Sequence, residues 1–135
     1  MTNKLKLGSL SWAEEFVKRI NKNEDYLEYA KDLNSSFNLH VTQEGETFLS
    51  FNWVGVNGKA TQLSEGLNED AEFTLEGPKD VWMRIVKGEL NFMDAVQKKL
   101  ITIRGPLPKL MRFLPATTEM IRVVESMDEI TDYDV

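Results

Sequence analysis

The chain has 135 residues, 41% hydrophobic and 28% charged, which suffices for one domain with its own core and excludes a wholly disordered polymer. Its 16 basic against 22 acidic residues leave a formal charge of −6, a field that repels phosphate backbones and anionic headgroups at long range, so no nucleic-acid partner is expected. Cysteine is absent, which excludes disulfides, thiolate nucleophiles and zinc–thiolate sites.

Met1–Leu10 carries Lys4 and Lys6 but no apolar run, so it does not read as a signal peptide. No stretch approaches the roughly 20 apolar residues of a membrane span, and Asp132–Val135 is not a peroxisomal address, so the cytoplasm is the expected compartment. Ser11-Trp12-Ala13-Glu14 fits a capping box, and Trp12, Phe16 and Ile20 follow at helical spacing. Asn21–Asp25 interrupts the pattern before Tyr26, Leu27, Ala30 and Leu33 resume it, which predicts a helical hairpin or one kinked helix.

From Phe37 the period becomes two. Phe37, Leu39 and Val41 predict a strand, Gln43–Glu46 a turn, and Leu49, Phe51 and Trp53 a second strand with one better-buried face. Asn57-Gly58 suits a tight hairpin turn into a third strand over Lys59–Leu63, and Glu72–Glu76 reads as a fourth. Gly77-Pro78 then starts a helix with Val81, Trp82, Ile85 and Val86 on one stripe, ended by Gly88. Asn91 is placed to cap a short helix carrying Phe92, Met93, Ala95 and Val96. Leu100–Arg104 predicts a fifth strand. Leu107, Leu110, Met111 and Leu114 predict a short helix that Pro115 ends or kinks, and Met120, Ile121, Val124 and Met127 continue helically. Residues 128–135 are acidic and are expected to fray, leaving a single domain over 1–135 with its core at roughly 11–127.

The stretch Gly88–Val96, followed without a gap by Gln97–Gly105, resembles the central signature of the sterol carrier protein family. Gly88, Leu90, Asn91, Ala95, Ile101, Ile103 and Gly105 stand where that pattern expects them, whereas Lys99 replaces a usual glycine and Val96-Gln97 a usual aromatic pair. Similarity in element order covers roughly residues 11–127, and similarity in residues mostly 73–105. The resemblance implies an α+β fold, with a five-stranded, mostly antiparallel sheet covered on one face by helices. It also implies an apolar tunnel between the two layers that holds a sterol, fatty acyl chain or related lipid.

On that footing the candidate ligand-binding residues are Trp82, Ile85, Val86, Phe92, Met93, Val96, Leu107, Leu110, Met111 and Leu114, all on short helices that would close over the sheet. Methionine and aromatic rings offer a lipid adaptable surface without directed hydrogen bonds, although plain core packing uses the same residues. No catalytic or metal site is expected. His40 is the sole histidine and points away from the Leu39–Val41 face, Glu14-Glu15 and Glu24-Asp25 sit at helix starts, and Ser9, Ser11, Ser35 and Ser36 lack a nucleophile elbow. No phosphate-binding or dinucleotide fingerprint occurs, so no cofactor is expected.

Two functions lead, with an enzyme that uses a sparse polar site trailing both. The first is a non-catalytic carrier of an elongated apolar small molecule that meets a membrane or a lipid-using enzyme transiently. The second is an interaction or self-association module, a homodimer among its forms, that keeps the fold with a filled cavity. Lys98, Lys99, Arg104, Lys109 and Arg112 form a local basic cluster against the acidic average.

Overall fold

The structure, a computed structural model, describes residues 4–134. Met1–Asn3, at the head of the segment read for a leader, and Val135, the end of the acidic tail, lie outside the described residues.

A two-residue strand, β1 (Leu5–Lys6), leads into helix α1 (Leu10–Lys22). The cap is Ser9 and not Ser11: a turn from Lys6 sets Ser9 in extended geometry, and its hydroxyl accepts from the Trp12 N–H at 3.2 Å. The helix therefore starts before the expected box, and Ser11 is inside it. One residue breaks the helical run. The N–H of Asn23 donates to Ile20 to close α1, and its side chain accepts from Tyr26 to open α2 (Glu24–Tyr29).

Strands β2 (Ser35–Gln43), β3 (Glu46–Val56) and β4 (Lys59–Glu65) form an antiparallel meander. Its second turn is Asn57-Gly58, with φ of 50° and 89°, as a tight hairpin requires. A Cβ on Gly58 would lie 2.7 Å from the Ala30 carbonyl, so the turn is pressed onto the end of α2. Strand β5 (Phe73–Pro78) pairs parallel with β2, and β6 (Thr102–Arg104) antiparallel with β5, giving a mixed five-stranded sheet in the order β4-β3-β2-β5-β6. The expected α+β architecture with a mostly antiparallel sheet is thus present.

Register sorts the two faces. Trp53, Phe37 and Phe73 form one inward row, Phe51, Leu39, Leu75 and Ile103 the next, and Leu49, Val41 and Gly77 the third. At Gly77 a Cβ would stand 2.3 Å from Ile101 Cδ1, so glycine lets that isoleucine fill the end of the row. The opposite face is polar: Asn52, Asn38 and Thr74 share one row, and Ser50, His40 and Glu76 another. His40 Nδ1 is 2.7 Å from Glu76 and Nε2 is 2.9 Å from Thr47, which satisfies the ring on the side away from the core.

Four helices join α1 and α2 over the inward face: α3 (Lys79–Val86), α4 (Phe92–Gln97), α5 (Leu107–Arg112) and α6 (Leu114–Ser126). Pro115 does not end the helix before it. The break falls at Phe113, and Pro115 occupies the first turn of α6, where its missing N–H costs nothing.

Within the acidic segment expected to fray, residues 128–132 take up regular structure. After a 3₁₀ turn at Asp128–Ile130, strand β7 (Thr131–Asp132) pairs parallel with β1. Buried Thr131 accepts a hydrogen bond from Trp12 Nε1 at 3.0 Å and donates to the Met127 carbonyl. The composition of the segment is polar, but one threonine fits an otherwise unpaired indole. Thr131→Val keeps the shape and strands that donor, so it is expected to cost about 1–3 kcal/mol in urea unfolding, and much less in a Trp12→Phe background.

Candidate functional site

The segment from α3 to α5 is positioned by backbone signals. Gly88, with φ of 76°, ends α3, and the Asn91 side chain accepts from the Asp94 N–H at 3.2 Å to start α4. Lys99, standing where the sequence pattern has glycine, takes φ of 62°, so the turn keeps the left-handed geometry that glycine would adopt without strain. These turns place α4 above the inward face of the sheet and send β6 along its edge.

Among the described residues, two apolar spaces adjoin beneath and beside α4. The inner one, about 70 Å³, lies between the sheet and the helices. Its floor includes Leu39, Val41, Leu49, Phe51, Trp53 and Leu75, and its roof Trp12, Phe16, Trp82, Val86, Phe92, Met120, Ile121 and Val124. Among the described lining residues the one charged side chain is Lys79, whose Nζ is 4.5 Å from the centre of the Phe48 ring. The outer space is a groove of about 360 Å³ along β6 and α5, bordered by Met93, Val96, Lys99, Ile101, Ile103, Leu107, Leu110, Met111 and Leu114. Phe92 and Thr117 line both, so the two spaces adjoin there, and both residues also border a more polar space of about 280 Å³ beside α6.

The sequence-predicted residues divide accordingly. Trp82, Val86 and Phe92 face the inner cavity, while Phe92, Met93, Val96, Leu107, Leu110, Met111 and Leu114 border the groove. Ile85 lines neither and packs in a smaller core with Val81, Ala95 and Ile101. Sequence reasoning assigned the pocket to short helices alone and missed its floor, although the alternation of Leu39, Phe51 and Trp53 already marked an inward face. It also missed Trp12 and Phe16, whose helical stripe was visible but carried no sign of a cavity.

Helix α5, the outer wall of the groove, is tethered by Lys109, whose Nζ donates to Glu72 at 2.7 Å and to the Asn34 carbonyl at 3.1 Å. The hydrogen bond from Lys109, and then that from Ser35, hold the Glu72 carboxyl below its usual range. Because the folded state favours the ionised form, this stabilisation is present at neutral pH and is lost as pH falls through the folded value. Wild type is therefore expected to exceed Glu72→Gln in stability at pH 7, by under about 1 kcal/mol for so exposed a pair, with the gap closing below about pH 4 in paired denaturation curves.

Comparison with known proteins fixes what this layout belongs to. The SCP-2 sterol transfer family profile matches residues 13–116, well over half of the chain. The chain belongs to that family. As a member of the SCP-2 family it is a domain of the lipid-binding and lipid-transfer kind, on a lipid-carrier fold. Among solved structures, a crystal structure of sterol carrier protein 2 matches with a TM-score of 0.80 at 20% identity, over 89% of this chain and 98% of that one. A conserved hypothetical protein of Thermus thermophilus, described as possibly a sterol carrier protein, matches with 0.78 at 18% identity, over 94% and 95%. Sterol carrier protein 2 from Yarrowia lipolytica, in its apo form, gives 0.61 at 15% identity over 87% and 91%. These likenesses show a shared fold. No curated protein sequence matches the chain. Among the described residues, no helix is long and apolar enough to cross a membrane, and no group of three or more His, Asp or Glu could hold a metal ion.

Proposed function

We propose that this SCP-2 family domain is a non-catalytic carrier of one elongated apolar lipid in the cytoplasm, taking it up at the outer groove and drawing it over the sheet. The carrying observation is that an apolar cavity and an open apolar groove meet at two side chains, Phe92 and Thr117. The inner cavity, at about 70 Å³, is well short of the roughly 300 Å³ at which ligand pockets begin, whereas the groove at about 360 Å³ falls within that range. A ligand therefore starts in the groove, and separation of Phe92 from Thr117 joins the two spaces into a tunnel. The driving force is burial of apolar surface, about 25 cal/mol per Å² before the costs of association, so binding alone constitutes the mechanism.

A fluorescent fatty acid tests this directly. It is expected to bind saturably at about one per chain, and Met111→Asp to weaken binding about tenfold or more, since a carboxylate replaces an apolar contact. The same change is expected to shift unfolding by less than about 0.5 kcal/mol, because Met111 is exposed and outside the core. If acyl, sterol and isoprenoid probes all fail against folded protein, the interaction-module function replaces the carrier.

A further inference from the structure

We infer that the edge built from residues 97–113 is a docking surface for an anionic lipid bilayer. This stretch holds Lys98, Lys99, Arg104, Lys109 and Arg112 and no acidic residue, in a chain whose formal charge is −6. Its apolar side chains are also displayed: Leu100, Leu107 and Met111 are 37%, 61% and 54% exposed. Lys99, Leu107 and Met111 border the mouth of the groove, so positive charge, exposed hydrocarbon and the opening coincide.

Three of these five charges are not consumed by internal ion pairs. Lys109 is paired with Glu72, and Arg104 lies 3.8 Å from Glu76, but among the described residues Lys98, Lys99 and Arg112 have no carboxylate within ion-pair distance. Such a combination matches an interface of anionic headgroups over acyl chains, where the ammonium and guanidinium groups meet phosphate and the apolar tips enter hydrocarbon. A second copy of the chain is a poorer occupant. A two-fold interface is self-complementary and would set this basic edge against itself. The inference deepens the carrier function, on which it rests, by letting a lipid pass between bilayer and groove without crossing water.

The test is sedimentation with phosphatidylcholine vesicles, with and without phosphatidylserine, alongside acyl-probe affinity measured without vesicles. Wild type is expected to bind the anionic vesicles, to bind the neutral ones much more weakly, and to detach as salt rises. Lys98→Gln with Arg112→Gln, neither of which lines the groove, is expected to weaken anionic-vesicle binding about 25-fold, about fivefold per charge, and to leave acyl-probe affinity unchanged. Lys18→Gln with Lys22→Gln, on α1, removes the same net charge and is expected to change vesicle binding far less. Absence of wild-type vesicle binding, equal loss in both double variants, or a dimer that buries Leu107 and Met111 overturns the inference. Vesicle binding that depends on Lys98 and Arg112 in a protein that binds no acyl probe upholds the docking surface and overturns the carrier function.

Discussion

Trp53→Ala is expected to cost about 3–5 kcal/mol, a large share of the roughly 5–15 kcal/mol that holds a domain folded. Trp53 is buried on β3, and its ring stacks on Phe37 at 5.3 Å, meets Phe16 edge-on at 6.4 Å and lies 6.0 Å from Phe51. Phe37 stacks in turn on Phe73, and Phe16 on Trp12, so one series of rings runs from α1 across three strands. Truncating its middle member removes the transfer energy of an indole and leaves a hole that rigid neighbours cannot close. Because Trp53 also lines the inner cavity, the hole joins space already present and relaxation offers little relief. Urea unfolding at a fixed slope is the measurement, with Val56→Ala at the exposed end of the same strand expected to stay within about 0.5 kcal/mol. A cost below about 1 kcal/mol for Trp53→Ala would show that α1 and the sheet are held together elsewhere.

Much of this fold was legible because local chemistry and global topology agree. Phe37, Leu39 and Val41 alternate in sequence and stand in successive rows of the inward face, and Asn57-Gly58 makes the turn its chemistry demands. Asn91 caps the helix it precedes. What was illegible depended on partners distant in sequence. The acidic composition of 128–134 gave no sign that Thr131 would satisfy Trp12, because that bond spans 119 residues and reflects the shape of the folded core. Ser9 and Ser11 are equally good caps locally, and the turn from Lys6 decides between them.

The site was legible as a region more than as a shape. Phe92, Met93 and Leu110 were identifiable as apolar side chains on short helices after the sheet, but periodicity cannot tell a residue beside empty space from one beside another side chain. Ile85 and Val86 illustrate the point: adjacent on one stripe of α3, both fully buried, one meets only core while the other borders the cavity. Division into an inner cavity and an outer groove depends on Phe92 and Thr117 lining the same two spaces from positions 25 apart in the chain, and local sequence cannot pair them.

That partition supplies the sharpest test of how a lipid enters, because two changes that both weaken the fold should move binding in opposite directions. Phe92 is buried, 6.2 Å from the Trp82 ring, with a space on either side of it. Phe92→Ala is expected to cost about 3–5 kcal/mol of stability yet to join the two spaces, so acyl-probe association should quicken and affinity for a bulkier apolar probe should rise. Thr117 stands across from it on α6, half-buried, with its hydroxyl donating to the Phe113 carbonyl. Thr117→Trp is expected to overpack the opening at about 1–3 kcal/mol and to lower probe affinity at least tenfold by filling the route to the cavity. A general loss of structure would weaken binding in both variants in proportion to the lost stability. Stopped-flow association and thermal unfolding on the same two proteins separate these outcomes. Parallel loss of binding would mean that Phe92 and Thr117 support the core without controlling entry, whereas binding that rises in one variant and falls in the other, with both less stable, places the gate between them.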